Sequence, residues 1–310
     1  MMKKIIVIGS SNTDMVVKSP RIPAPGETIL GGKFMQVAGG KGANQAVAAA
    51  RSGGLVSFIG KIGNDTLGNE AKKGLDRENI DTSNMYVDPT NPSGVALIFV
   101  SEEGENSISV ASGANDTLSP EDITHSESFI KEHDILLVQF ETPMPTVRKA
   151  IEVAKKHQLK VIVNPAPAGQ LQEDLFPLID LIIPNETETE LITGIKITDH
   201  ESMVNAADQL LAKGVKNVLI TLGSKGVYLK NEEMDTIVPA YKVNAKDTTA
   251  AGDTFCGALS VALSNDQLLL EAIETANASA GLSTQKDGAQ TSIPYQKEVI
   301  DFMEKNTAKK

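Results

Sequence analysis

Ile135-Leu136-Leu137-Val138-Gln139-Phe140, a helical pattern across Pro145–Gln158 and then Val161-Ile162-Val163 follow one another with little between them. Both apolar runs are too continuous to leave a face to water. They read as strands buried on two faces, with a crossover helix between them. The same beat extends outward in both directions. Runs at Ile5–Ile8, Val56–Ile59, Leu181–Ile183 and Val218–Thr221 predict further strands. Patterns at Gly42–Ser52, Leu67–Glu78, Glu186–Thr193, Ser202–Lys213, Gly252–Ser264 and Leu268–Leu282 predict helices. Such alternation predicts an α/β fold, a doubly wound and mostly parallel sheet flanked by helices.

Two stretches break the rhythm. Met15–Val37 carries Pro20, Pro23 and Pro25; in Met85–Ser112 the runs Val95–Val100 and Ile108–Val110 flank the turn Glu102-Glu103-Gly104-Glu105-Asn106. Both read as hairpin strands without helices. The predicted division is therefore an α/β domain of residues 1–14, 38–84 and 113–310, and a discontinuous β lid of residues 15–37 and 85–112. The tail Lys305–Lys310 reads as a frayed, solvated end.

The chain has 310 residues, 41% of them hydrophobic, with 29 basic against 40 acidic side chains and a net charge of −11. That composition excludes disordered, collagenous and coiled-coil classes. Its charge repels nucleic acid and anionic membranes, so an anionic ligand must be held by local groups. A lone cysteine, Cys256, cannot form an internal disulfide, and His125, His133, His157 and His200 are not spaced like zinc ligands. No apolar run approaches a membrane span or a signal-peptide core. The expectation is a soluble cytoplasmic enzyme acting on small molecules.

No G-x-x-x-x-G-K-[ST] is present, and the turn after the first predicted strand reads Gly9-Ser10-Ser11-Asn12-Thr13-Asp14, not G-x-G-x-x-G. Instead, Asp247-Thr248-Thr249-Ala250-Ala251-Gly252-Asp253-Thr254-Phe255 opens a small-residue helix. The amides and positive dipole end of such a helix suit a phosphate. Asp253 there is either a helix cap or a base. A second cluster, Gly39-Gly40-Lys41-Gly42-Ala43-Asn44-Gln45-Ala46, opens an alanine-rich helix, either as a packing turn or as a close approach to a ligand. Asn12-Thr13-Asp14 follows a strand where ligands of open α/β sheets collect. Glu141 also follows a strand. Asn185-Glu186-Thr187-Glu188 is either a helix-capping pair or a metal- and phosphate-facing turn. Thr221-Leu222-Gly223-Ser224-Lys225-Gly226 is either a hairpin turn or a nucleotide cradle, and Gly288-Ala289-Gln290-Thr291-Ser292 reads as a polar loop.

Together the glycine-rich cluster at 39–46 and the segment 247–255 resemble the two signatures of the ribokinase-like (PfkB) carbohydrate kinases, in the expected order and spacing from about Lys4 to Phe302. The resemblance implies ATP-dependent phosphorylation of a sugar, foremost the primary 5-hydroxyl of D-ribose, giving ribose 5-phosphate and ADP. It implies Asp253 as the base, with Ala251 and Gly252 completing an anion hole. The sugar would be held by Asn12, Thr13, Asp14, Gly40, Lys41, Gly42, Ala43, Asn44 and Glu141. ATP with Mg²⁺ would lie against Asn185, Glu188, Thr221, Leu222, Gly223, Ser224, Lys225, Gly226 and Asn277. A K⁺ activator is implied at Asp247, Thr249, Ser283, Lys286, Gly288 and Ser292, and a homodimer through the β lid. Ala250 stands where many members carry Gly.

Other acceptors on the same scaffold are fructose, 2-keto-3-deoxygluconate, deoxyribose or a nucleoside. The nucleoside is disfavoured by the absence of Trp and the 4% aromatic content. A sugar-sensing binding protein would have little use for Asp253.

Overall fold

The structure, a computed structural model, describes residues 3–307. From β1 (Lys4–Ile8) the chain runs through β2 (Asn12–Lys18) and β3 (Lys33–Gly39) into α1 (Lys41–Arg51). Next come β4 (Leu55–Ile59), β5 (Lys61–Gly63), α2 (Thr66–Arg77), β6 (Tyr86–Asp88), β7 (Gly94–Val100) and β8 (Asn106–Ala111). Two short helices, α3 (Pro120–His125) and α4 (Glu127–Ile130), lead to β9 (Ile135–Val138), α5 (Met144–Lys156), β10 (Lys160–Val163) and β11 (Leu181–Ile182). The remainder holds α6 (Glu186–Thr193), α7 (His200–Ala212), β12 (Val218–Thr221), β13 (Val227–Lys230), β14 (Asp235–Val238), α8 (Ala251–Ser264), α9 (Leu269–Ser283) and α10 (Gln296–Thr307).

Eight strands form the main sheet in the order β14-β13-β12-β11-β10-β9-β1-β4. It is parallel from β12 to β4, with β13 and β14 added as an antiparallel edge. Strand pleating sends alternate residues to opposite faces, and two cores follow from it. Ile5, Val7 and Leu137 pack with Val47, Phe255 and Leu259 on one face. Ile6, Ile8 and Val138 pack with Ile151 and Leu210 on the other. Burial on both faces explains why these strands read as unbroken apolar runs. Because β1 lies between β4 and β9, crossovers leave it in both directions. The crevice beyond its carboxyl end is where such sheets bind ligands.

A separate mixed sheet has the order β3-β2-β7-β8. Its strands come from the two stretches that broke the α/β rhythm. Asp14, Met35, Ile98 and Ile108 share one face by register, and Met15, Phe34 and Leu97 share the other. The tail expected to fray from Lys305 is helical through Thr307, and 308–310 lie outside the described residues. Among the described residues no helix is long and apolar enough to cross a membrane.

Candidate active site

Asp253 is not a helix cap. Ala250 caps α8 in the left-handed region (φ 58°), which puts Asp253 third in the helix and buried. One carboxylate oxygen accepts from Asn44 Nδ2 and the other from Gln45 Nε2, both at 3.0 Å. These donors come from the first turn of α1, so two helix starts meet at one carboxylate. Gln45 also donates to Asn164 and accepts from Gln139 Nε2 at 2.5 Å, which fixes its amide. In the first turn of α8 the Ala251 amide is bonded to the Thr248 carbonyl at 3.2 Å. The amides of Gly252 and Asp253 remain for an anion, and nothing stands within 4 Å of where a Gly252 Cβ would be.

Glycines make this convergence possible. Gly40 has φ 88°, and a Cβ there would meet the Asn12 amide at 2.7 Å; one on Gly42 would meet the Ser10 amide at 2.6 Å. The start of α1 thereby lies against the turn after β1. Glu141 accepts from Ser10 Oγ at 2.5 Å and from the Lys41 amide at 2.9 Å, so it closes the same turn. Burial, aided by the charges of Glu141 and Asp253, pushes Asp14 up to about 6. Burial works against the Lys41 ammonium, yet Asp253, Glu141 and Glu188 outweigh it and raise its pKa. Lys41 thus stays charged among three carboxylates.

Not every residue expected on the sugar side faces it. Thr13 lies on the opposite face of β2 from Asp14, because neighbours along a strand alternate. Ala43 packs into the core, and its amide is bonded to Ser10 O at 2.9 Å.

At the turn of Asn185 the capping reading holds. The Asn185 side chain accepts from the Glu188 amide at 2.8 Å and Glu188 returns the bond at 2.9 Å, a capping box on α6. Burial raises the Glu188 pKa, against the pull of the Asn185 amide and Lys41. The segment 221–226 turns β12 into β13, and Thr221, Gly223, Ser224 and Gly226 also border a cavity of about 390 Å³. That cavity reaches Gly252 and Asn277, and its far wall is largely apolar, with Val243, Phe255 and Ala280. Leu222 instead packs into the core, and Lys225 is not on the cavity wall.

Asp247 joins the predicted cation residues. One oxygen accepts from the Thr249 amide and hydroxyl, and the other from the Gly288 amide at 2.9 Å. These bonds outweigh burial and lower its pKa. Ser283 and Ser292 are fully buried, with hydroxyls donating to the carbonyls of Ala280 and Ala289. The Lys286 ammonium turns outward to Glu298, which leaves only its main chain for a cation. Among the described residues no three carboxylate, histidine or cysteine side chains gather as for a tightly held metal. One anchored carboxylate beside a serine- and carbonyl-rich loop fits a large monovalent cation. A lone buried Glu188 fits Mg²⁺ that arrives mainly on phosphate oxygens.

Three further residues emerge only in three dimensions. Gln45 holds Asp253. Asn115 bonds both the amide and the carbonyl of Ser11 and donates to Asn12 Oδ1 at 2.8 Å. Ser10 bonds Glu141. Gln45 lay inside the quoted signature, where an acceptor-plus-donor amide beside Asn44 was the available signal. Asn115, a single polar residue past the β7–β8 hairpin, offered none. The side-chain amide oxygens of Asn44 and Gln139 are buried without a hydrogen-bond partner among the described residues.

Comparison with known proteins places these features in company. A family model described as pfkB family carbohydrate kinase matches residues 2–296. The chain is 45% identical over 304 residues to a ribokinase of Haemophilus influenzae, covering 98% of this chain and 99% of that protein. The crystal structure of a ribokinase from Thermotoga maritima superposes with TM-score 0.90 at 38% identity, covering 97% and 99% of the two chains. That of Arabidopsis thaliana ribokinase complexed with ribose and ATP superposes with TM-score 0.88 at 31% identity, covering 98% and 99%.

Proposed function

The chain belongs to the pfkB family of carbohydrate kinases, and from that premise we propose that it transfers the γ-phosphoryl group of ATP to the primary 5-hydroxyl of D-ribose. One observation carries the reading. The buried Asp253 carboxylate, gripped by Asn44 and Gln45, stands where a hydroxyl-binding turn meets a nucleotide-sized cavity at a helix start. Asp14, Glu141, Lys41, Asn44 and Asn12 supply the acceptors and donors a pentose needs. The apolar wall at Val243, Phe255 and Ala280 suits an adenine base, with Asn277 at its edge.

The chemistry follows from what is held where. A primary hydroxyl is a weak acid, so Asp253 takes its proton only as the sugar oxygen bonds to the γ-phosphorus and the bond to the β-phosphate oxygen breaks. Amide donors at both Asp253 oxygens keep the carboxylate aimed. The free amides of Gly252 and Asp253, with the α8 dipole, offset charge on the transferred group. Lys41, charged between Glu141 and Glu188, adds a fixed cation close to both substrates. Glu188 and Asn185 would hold Mg²⁺ on the phosphates, where it would supply charge neutralisation. Asp247, Thr249 and the main chain of the 283–292 segment would hold K⁺, which would supply rigidity to the loop that leads into α8.

In this reading residues 15–37 and 85–112 act as a lid, supported by Asp14 on the face that looks toward the cation loop. A homodimer through that sheet is supported by Phe34, Leu97, Ile108 and Val110, apolar and about half or more exposed. The one cysteine, buried beside Asp253, supports a reducing cytoplasm.

The test is coupled ADP release over a panel of pentoses and hexoses. D-ribose should give the highest kcat/KM, with turnover lost in excess EDTA and raised by K⁺ over tetramethylammonium. Preference for a hexose, or full turnover in EDTA, would overturn the corresponding part.

A further inference from the structure

Arg51 closes α1 at the end opposite Lys41 and Asn44, and it does not touch the pocket around Asp253. Its Nε and Nη2 donate to the two oxygens of Glu78 at 3.1 and 2.6 Å. Its Nη1 donates to two main-chain carbonyls, Gln290 at 2.7 Å and Ile293 at 2.8 Å. The Tyr295 ring lies 4.8 Å from the guanidinium carbon. Glu78 caps the carboxyl end of α2. A single side chain, 13% exposed, therefore ties the ends of two helices to the segment 290–295.

The two carbonyls flank Ser292, and the same loop begins at Gly288, whose amide is bonded to Asp247. The loop is thus anchored at one end by Asp247 and at the other by Arg51. A flexible loop binds a weakly hydrated cation poorly, because each carbonyl must be ordered at the moment of binding. Anchoring beforehand removes that cost. The guanidinium suits the task because its planar fork serves a carboxylate on one edge and carbonyls on the other, which an ammonium cannot.

We propose that Arg51, with Glu78 fixing its plane, is a positioning residue for the monovalent-cation loop and sets the affinity of that loop for its cation. The inference rests on the cation reading given above.

The experiment uses the full chain, with chloride salts of K⁺ and tetramethylammonium at equal ionic strength. Melting curves of the ligand-free protein and K⁺ titrations of turnover are recorded for wild type, Arg51→Ala and Arg51→Lys. Two charge-assisted bonds to the loop are lost, so the half-activating K⁺ concentration should rise about tenfold or more. The extra Tm conferred by K⁺ at a fixed subsaturating concentration should shrink, while calorimetric ribose affinity stays within about twofold. A merely structural arginine would lower Tm equally in both salts and leave half-activation unchanged, and that result overturns the proposal. Should Arg51→Ala fail to fold, Arg51→Lys, which keeps the stem and the charge, decides. A wild type indifferent to K⁺ in both measurements defeats the cation reading and this inference with it. A responsive wild type with equally responsive variants defeats only the role of Arg51.

Discussion

Asp253→Asn removes the base and keeps one of its two bonds to α1, since the amide offers one acceptor oxygen and sets its NH₂ against the other donor. We expect kcat to fall by about 10²–10⁴, with ribose still bound by calorimetry and the melting temperature lowered while the protein stays folded. A folded variant above about a tenth of wild-type turnover would remove Asp253 from the chemistry. Asp14 makes a pH argument. Its folded pKa of about 6 exceeds the ordinary 3.8, so the folded protein holds that proton longer than the unfolded chain. Asp14 therefore costs stability as pH rises from about 4 through 6. The ionised form accepts the stronger, charge-assisted hydrogen bonds from sugar hydroxyls, so kcat/KM for ribose should decline below about pH 6. Asp14→Asn should show a flatter profile at a level roughly 10- to 150-fold lower. A variant that keeps the same acidic limb would assign it elsewhere. At this scale the sequence was legible in which residues meet: the structure brings Asp253 to Asn44 and Glu141 to the Lys41 amide. It was not legible where a residue's direction depends on strand pleat or core packing. Thr13 points to the far face of the small sheet, Ala43 into the core, and Asn115 is recruited from a loop about a hundred positions away.

The contact between α1 and α8 aligns the two helix starts. It is tight because Gly257 faces α1: a Cβ there would stand 2.6 Å from both the Ala48 Cβ and the Gln45 carbonyl. Gly257→Ala should therefore cost about 1–3 kcal/mol in chemical denaturation. It should also reduce kcat more than either KM, by pushing Gln45 away from Asp253. An unchanged denaturation midpoint would show that the seam has slack. Parallel strands and their crossover helices were legible because burial on both faces makes them unbroken apolar runs. The edge strand β14 was not, since Asp235, Thr236 and Ile237 lie exposed and carry no such run. Helix α10 was not legible either, because exposed Lys297, Glu298, Glu304 and Lys305 mask the apolar side on which Val299 is buried. The turn at 221–226 could not be assigned to hairpin or cavity because it serves both.

Across the whole molecule, the small sheet carries apolar residues on both faces, with Phe34 on one and Ile108 on the other. The expected particle is a dimer, with twice the chain mass by light scattering. Phe34→Asp and Ile108→Asp test the two faces separately, and the substitution that halves the mass identifies the interface. A wild type that scatters as a monomer at micromolar concentration would exclude it. The pairing of α1 with α8 also bears on how the chain is made. Asn44 and Asp253 are 209 positions apart, an interval of roughly 10–40 s at a translation rate of about 5–20 residues per second. Throughout that time Ala46, Val47 and Ala49 lack the helix that will cover them, and by its end every strand of the parallel sheet has been synthesised. A chain released just short of residue 251 would therefore carry every strand of the sheet beside a bare alanine seam, a surface suited to holdase chaperones and to other unfinished chains.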